Sequence, residues 1–225
     1  MNLMKWIVTY ACKLGLYVIC RIDADEIKKV QAQGPLIIVS NHTGEIEAPI
    51  FYTALSPRPL RALAKVESWD NWLIGWVFTV WGIIPIRRGE SDMEAMRTAL
   101  GTLEQNSLLG ISPEGTRSKT GALLRAKPGT VILAMHSNAP LQVAAHWGGE
   151  NFKENIRRLK RTDFHIRVGP VFHLDAHGKR VTKEIRQQMA DEIMYQLAKL
   201  LPAEYRGEYA DLEKATEEYL RFVSA

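Results

Sequence analysis

Leu36-Ile37-Ile38-Val39-Ser40-Asn41-His42-Thr43-Gly44-Glu45-Ile46-Glu47-Ala48-Pro49-Ile50-Phe51-Tyr52 decides how this chain is read. The apolar run at its start suits a strand, and Thr43-Gly44 suits a turn. Pro49 marks a helix beginning just before it, because proline is favoured in a first helical turn. The expected order is a strand over 36–40, a turn carrying His42, and a helix over 47–55. His42 and Glu47 are five residues apart. On one continuous helix they would point about 140° away from each other. With His42 on the turn and Glu47 in the helix's first turn, the carboxylate can fold back to the imidazole. The positive end of the helix dipole favours its ionised form.

The same alternation continues outward. An apolar helix is expected over 3–20, a strand at 60–65, a helix at 69–81 and a strand at 83–87. A helix at 92–106, a strand at 108–112 and a helix at 129–137 follow. Strands at 140–145 and 164–171 and a helix at 182–200 complete the order. This pattern predicts an α/β fold: one domain with a mixed, largely parallel sheet flanked by helices. An N-terminal apolar helical segment over 1–30 precedes the main domain at 31–225. Strand ends are where open α/β sheets place their ligands.

A second phrase, Ile111-Ser112-Pro113-Glu114-Gly115-Thr116-Arg117-Ser118, also follows an apolar run. Gly115 lets the backbone approach a ligand closely, and Thr116 offers a hydroxyl. Arg88, Arg117 and Lys127 are cations near expected strand ends or turns. Arginine's planar fork suits phosphate, and lysine adds a point charge. A histidine base beside an anion-binding turn suits moving a group onto the hydroxyl of a phosphorylated substrate.

Taken together, these phrases resemble the PlsC family of glycerolipid acyltransferases, the lysophosphatidate acyltransferase group. Its His-x4-Asp block is similar to His42-x4-Glu47, and its Phe-Pro-Glu-Gly-Thr-Arg-Ser block to residues 112–118. A third block matches Gly82-Ile83-Ile84-Pro85-Ile86-Arg87-Arg88-Gly89, with Arg88 in the arginine position. A fourth is similar to Ala139-Pro140-Leu141-Gln142-Val143-Ala144. Glu47 stands where the family has Asp, and Ser112 where it has Phe. The resemblance implies His42 as general base and Glu47 as its orienting partner; were Glu47 not to serve His42, Glu45 is the first other carboxylate to consider. It implies Arg88, Glu114, Gly115, Thr116 and Arg117 around a glycerol phosphate, with Lys127 a weaker match. It also implies an acyl thioester donor, acyl-CoA or acyl-carrier protein, and 1-acylglycerol 3-phosphate as the acceptor converted to phosphatidate. No metal or other cofactor is expected.

Other classes lack their signatures. There is no Gly-x-Ser-x-Gly elbow for a serine esterase and no Gly-x4-Gly-Lys-Ser/Thr loop for a nucleotide enzyme. The formal net charge is +4 in 225 residues, which does not point to nucleic acid. Cys12 and Cys20 fall on one expected helix about 12 Å apart, too far for a disulfide. The alternatives kept open are another lysophospholipid or a glycolipid acceptor, and a non-catalytic membrane lipid-binding protein.

Residues 3–20 lack a small-residue cleavage site and are interrupted by Lys13, so neither a signal peptide nor a spanning helix is expected. Trp69, Trp72, Trp76 and Trp81 lie close together among apolar residues. They are expected at a membrane interface, with Lys153, Arg157, Arg158, Lys160 and Arg161 available to anionic headgroups. The implied location is a membrane's cytoplasmic face.

Overall fold

The computed structural model describes residues 3–87 and 92–223. Helix α1 covers Leu3–Ile19, followed by β1 at Cys20–Asp23 and β2 at Leu36–Val39. Next come α2 (Glu47–Leu55), β3 (Leu60–Lys65), α3 (Trp72–Trp81), β4 (Ile84–Ile86), α4 (Met93–Glu104) and β5 (Leu108–Ile111). The remainder is α5 (Gly129–Ser137), β6 (Leu141–Trp147), α6 (Phe152–Arg157), β7 (Thr162–Leu174), α7 (Lys183–Leu200) and β8 (Leu220–Phe222).

The strands form one sheet in the order β1-β7-β6-β2-β5-β3-β4, with β8 also on β7. Strand β2 is central and runs parallel to β5 on one side and to β6 on the other. Among the described residues, only the β6–β7 and β7–β8 pairs are antiparallel. The expected α/β class is therefore observed: a mixed, mostly parallel sheet with helices on both faces.

Alternation along β2 explains its unbroken apolar run. Leu36 and Ile38 face a core built with Ile50, Phe51 and Tyr52 of α2 and Trp81 of α3. Ile37 and Val39 face the other core, with Ala99 of α4, Val131 of α5 and Ile193 of α7. All four β2 residues are buried, so polar residues cannot alternate with them. Three parallel neighbours thus bring their C-terminal ends to one edge of the sheet: Val39 of β2, Ile111 of β5 and Trp147 of β6.

Three local readings change. Residues 20–30, grouped by sequence with the apolar helix, carry β1, which pairs in register with β7 from Cys20 opposite Thr162 to Asp23 opposite His165. The strand expected over 164–171 runs through Pro170 to Leu174. The register against β6 shifts here: Gln142 pairs with Val171 and Ala144 with Val168, so β7 carries one extra residue around Gly169-Pro170. Proline lacks a ladder donor and is tolerated there, and the Gln142 side chain donates to Gly169 O at 2.9 Å. Trp81, grouped with the interfacial tryptophans, is 1% exposed, stacks on Tyr52 and donates its indole N–H to Thr9. It closes the core under α1 and α3. Trp72 and Trp76 remain exposed, at 80% and 45%.

Beyond β6 the chain turns at Gly148 with φ +90°, against the Asp163 carbonyl. A β-carbon at this position would lie 2.1 Å from that oxygen. Gly148→Ala is expected to cost about 2–3 kcal/mol, combining backbone strain with the displaced carbonyl. Thermal unfolding is expected to show a Tm fall of about 5–10 °C. An unchanged Tm would mean that the 147–149 turn relaxes freely.

Candidate active site

The site lies at the strand edge where β2, β5 and β6 end. The expected strand–turn–helix is present: β2 ends at Val39, and α2 begins at Glu47. Glu47 folds back over the turn. One carboxylate oxygen binds the His42 ring at Nδ1, and the other accepts the Gly44 N–H at 2.9 Å. With the carboxylate on Nδ1, that nitrogen carries the proton and Nε2 is left as the basic lone pair. Glu47 is buried, while the His42 side chain keeps 21% of its surface. Burial by itself would raise the Glu47 carboxyl. The hydrogen bond from His42 helps outweigh it, and the carboxyl is held below its ordinary value.

A second carboxylate holds the same histidine by its backbone. Glu114, 2% exposed, accepts the His42 N–H at 2.8 Å and the Leu124 N–H at 2.9 Å. The Ser118 N–H donates to His42 O at 2.8 Å. The two phrases recognised in the sequence are thus joined across seventy-two residues. Glu114 was expected to face a ligand. Both of its oxygens are instead committed to main chain, and it shapes the loop that carries Gly115, Thr116 and Arg117.

Gly115 has φ +66°, and the Lys127 side chain lies over it. A β-carbon there would come within 3.1 Å of Lys127 Cδ, a contact the exposed lysine can relieve, so it is the positive φ that favours glycine. The Lys127 N–H donates to Pro113 O, closing the loop. Thr116, Arg117 and Lys127 are exposed. Arg117 is paired with Glu45 at 3.2 Å. Arg88 lies outside the described residues. The structure therefore brings His42, Glu47, Glu114, Gly115, Thr116, Arg117 and Lys127 to one place.

The sequence reading missed His146. Its ring is fully buried, stacked on Phe164 and edge-on to Phe51. Its Nε2–H donates to Asn41 O at 2.8 Å. The Asn41 side-chain amide accepts the His146 N–H and donates to His146 O, completing a three-bond clamp beside His42. Burial pushes the His146 pKa down, so it stays neutral. His146 sits in an apolar strand without a polar neighbour, and only its pairing with Asn41 reveals a role. Among the described residues, no group of three His, Cys, Asp or Glu side chains is placed to hold a metal.

Comparisons with known proteins agree with this geometry. The acyltransferase family model matches residues 21–147, more than half of the chain. The chain is 24% identical over 173 residues to the 1-acyl-sn-glycerol-3-phosphate acyltransferase of Bacillus subtilis, covering 77% of this chain and 84% of that one. It is 36% identical over 124 residues to the Limnanthes douglasii protein of the same name, covering 54% of this chain and 42% of that one. The crystal structure of the 1-acyl-sn-glycerophosphate acyltransferase PlsC from Thermotoga maritima superposes with a TM-score of 0.60 at 16% identity. That match covers 84% of this chain and 76% of the other, and it bears on the fold.

Burial raises the Glu114 pKa to about 7, against the two N–H bonds that oppose it. The folded chain therefore keeps this proton to a higher pH than the unfolded chain, whose carboxyl titrates near 4.5. The group's contribution to stability is full below about pH 4.5 and declines as pH rises toward 7. Glu114→Gln is expected to remove this slope. It should also destabilise by about 1–3 kcal/mol, since its NH2 faces an N–H donor. Thermal unfolding of both proteins over pH 4–8 checks the outcome, and parallel curves would argue against it.

Proposed function

Because this chain belongs to the acyltransferase family, we propose that it acylates the free hydroxyl of 1-acylglycerol 3-phosphate, giving phosphatidate. The donor is an acyl thioester, acyl-CoA or acyl-carrier protein, and no resident cofactor takes part. The carrying observation is the carboxylate-held imidazole of His42 beside the glycine turn at 114–117.

His42 Nε2 takes the proton of the acceptor hydroxyl as its oxygen attacks the thioester carbonyl. Glu47 fixes the tautomer and stabilises the imidazolium that forms. The tetrahedral adduct collapses with cleavage of the C–S bond, and the imidazolium returns its proton to the departing thiolate. The attacking hydroxyl is itself the nucleophile, so no acyl-enzyme is needed. Gly115, Thr116, Arg117 and Lys127, joined by Arg88, bind the glycerol phosphate, while Glu114 holds their loop. Arginine supplies charge-assisted hydrogen bonds to the phosphate.

A two-chain lipid product calls for a docking face. Leu3, Leu14 and Val18 of α1 are exposed at 74%, 69% and 67%, and α1 packs beside α3 with its exposed Trp72 and Trp76. Among the described residues no helix is long and apolar enough to cross a membrane. The reading is an enzyme lying on a membrane surface, its donor arriving from the cytoplasmic face.

His42→Ala is expected to lower the rate by about 10²–10⁴-fold with folding retained. Glu47→Gln, which removes the charge and keeps the shape, should fall further than Glu47→Asp, which keeps the charge and shortens the reach. Purified protein assayed with acyl-CoA and 1-acylglycerol 3-phosphate tests both. Near wild-type turnover by His42→Ala would sink the mechanism.

Replacing Trp72 and Trp76 together with Ser is expected to reduce sedimentation with anionic liposomes severalfold. The Tm should stay unchanged, since both rings are exposed. Undiminished sedimentation would exclude α3 from the docking face.

A further inference from the structure

Glu45 lies outside the catalytic pair yet beside it, three residues after His42. A single oxygen of its carboxylate, Oε1, accepts from Arg117 Nη1 at 3.2 Å and from Lys153 Nζ at 2.8 Å. Arg117 is the neighbour of Ser118, whose N–H is bonded to His42 O. Lys153 belongs to α6, past the end of the family match at 147. Two cations from separate parts of the chain therefore converge on one anion three residues from His42. All three side chains are well solvated, 45% exposed for Glu45, 48% for Arg117 and 68% for Lys153. Exposed pairs of this kind hold weakly.

We propose that Glu45 occupies the position of the acceptor's phosphate, and that Lys153 with Arg117 takes that phosphate when Glu45 is displaced. The inference rests on the phosphorylated-acceptor reading above. It adds Lys153 as a specificity-determining residue and Glu45 as an internal competitor. A phosphate monoester brings nearly twice the charge of a carboxylate and three acceptor oxygens in place of two. It can satisfy an arginine fork and a lysine together, where Glu45 offers both the same atom. An acceptor without phosphate brings no charge to displace Glu45, so the carboxylate stays across the entrance. Selection then includes an obstacle to the wrong acceptor as well as an attraction for the right one.

The test compares wild type, Lys153→Gln, Lys153→Arg and Glu45→Gln on 1-acylglycerol 3-phosphate and on 1-acylglycerol. Lys153→Gln is expected to raise KM for the phosphorylated acceptor about tenfold with kcat nearly unchanged, and to leave the unphosphorylated acceptor unaffected. Lys153→Arg should restore most of the loss. Glu45→Gln should lower KM for the phosphorylated acceptor severalfold and raise kcat/KM for the unphosphorylated one by more, narrowing the preference between the two. An unchanged KM in Lys153→Gln, or equal losses on both acceptors, overturns the proposal. A raised KM in Glu45→Gln overturns the competitor role.

Wild type that turns over neither acceptor would defeat the acceptor reading separately. The proposal is then decided by glycerol 3-phosphate as a headgroup probe in thermal unfolding. A Tm rise in wild type that grows in Glu45→Gln and vanishes in Lys153→Gln supports it. Equal behaviour in all three proteins overturns it.

Discussion

His42 is gripped by two buried carboxylates, and the rest of the site is arranged around that grip. Glu47 holds the ring and Glu114 the main-chain N–H. Each carboxylate would be costly in the interior without donors. Each is given two: a ring and a backbone N–H for Glu47, and two backbone N–H groups for Glu114. The histidine therefore has little freedom in either its backbone or its ring, although its outer face stays open to a substrate. Such fixed geometry lets a neutral imidazole act as a base without reorganising during reaction.

The sheet makes this grip attainable. A turn that leaves β2 and a loop that leaves β5 come together because the two strands are parallel neighbours in register, Val39 opposite Ile111. On the other side β6 brings His146 to Asn41. Three parallel strands thus deliver three pieces of the site to one edge, and none of the three is close to another in sequence. The antiparallel β7 then covers β6 and carries Phe164, which packs on the His146 ring.

Much of this was legible because it rests on local chemistry. The apolar run 36–39, the turn after it and Pro49 determined a strand and a helix start that the structure matches at Glu47. Other features depend on partners distant in the chain, and their residue types do not announce them. Trp72 and Trp81 share a helix, yet Trp81 meets Tyr52 and Thr9 from other elements and is buried. The strand expected over 164–171 starts two residues earlier and runs three further because it finds β1, β6 and β8 as partners. Glu114 reads as a ligand-facing acid, but its environment assigns both oxygens to backbone donors. His146 reads as an isolated histidine in an apolar strand. Its importance lies in Asn41, 105 residues earlier.

That separation has a consequence for how the molecule comes into being. As the chain leaves the ribosome, the catalytic turn and Glu47 are made early, but Glu114 and His146 are made late. Glu114 follows His42 by 72 residues, and His146 follows Asn41 by 105. Until β6 emerges, one side of β2 has no partner, and the Asn41 amide has nothing to bind. Closing such long loops carries an entropic cost that must be met before the contacts repay it, which slows assembly of parallel sheets. The nascent chain therefore passes through a period in which β2 is exposed along one edge, with Glu47 and Glu114 made but the Asn41 clamp still open. The last side-chain restraint beside His42 is therefore supplied by β6, and its packing is completed only by Phe164 of β7.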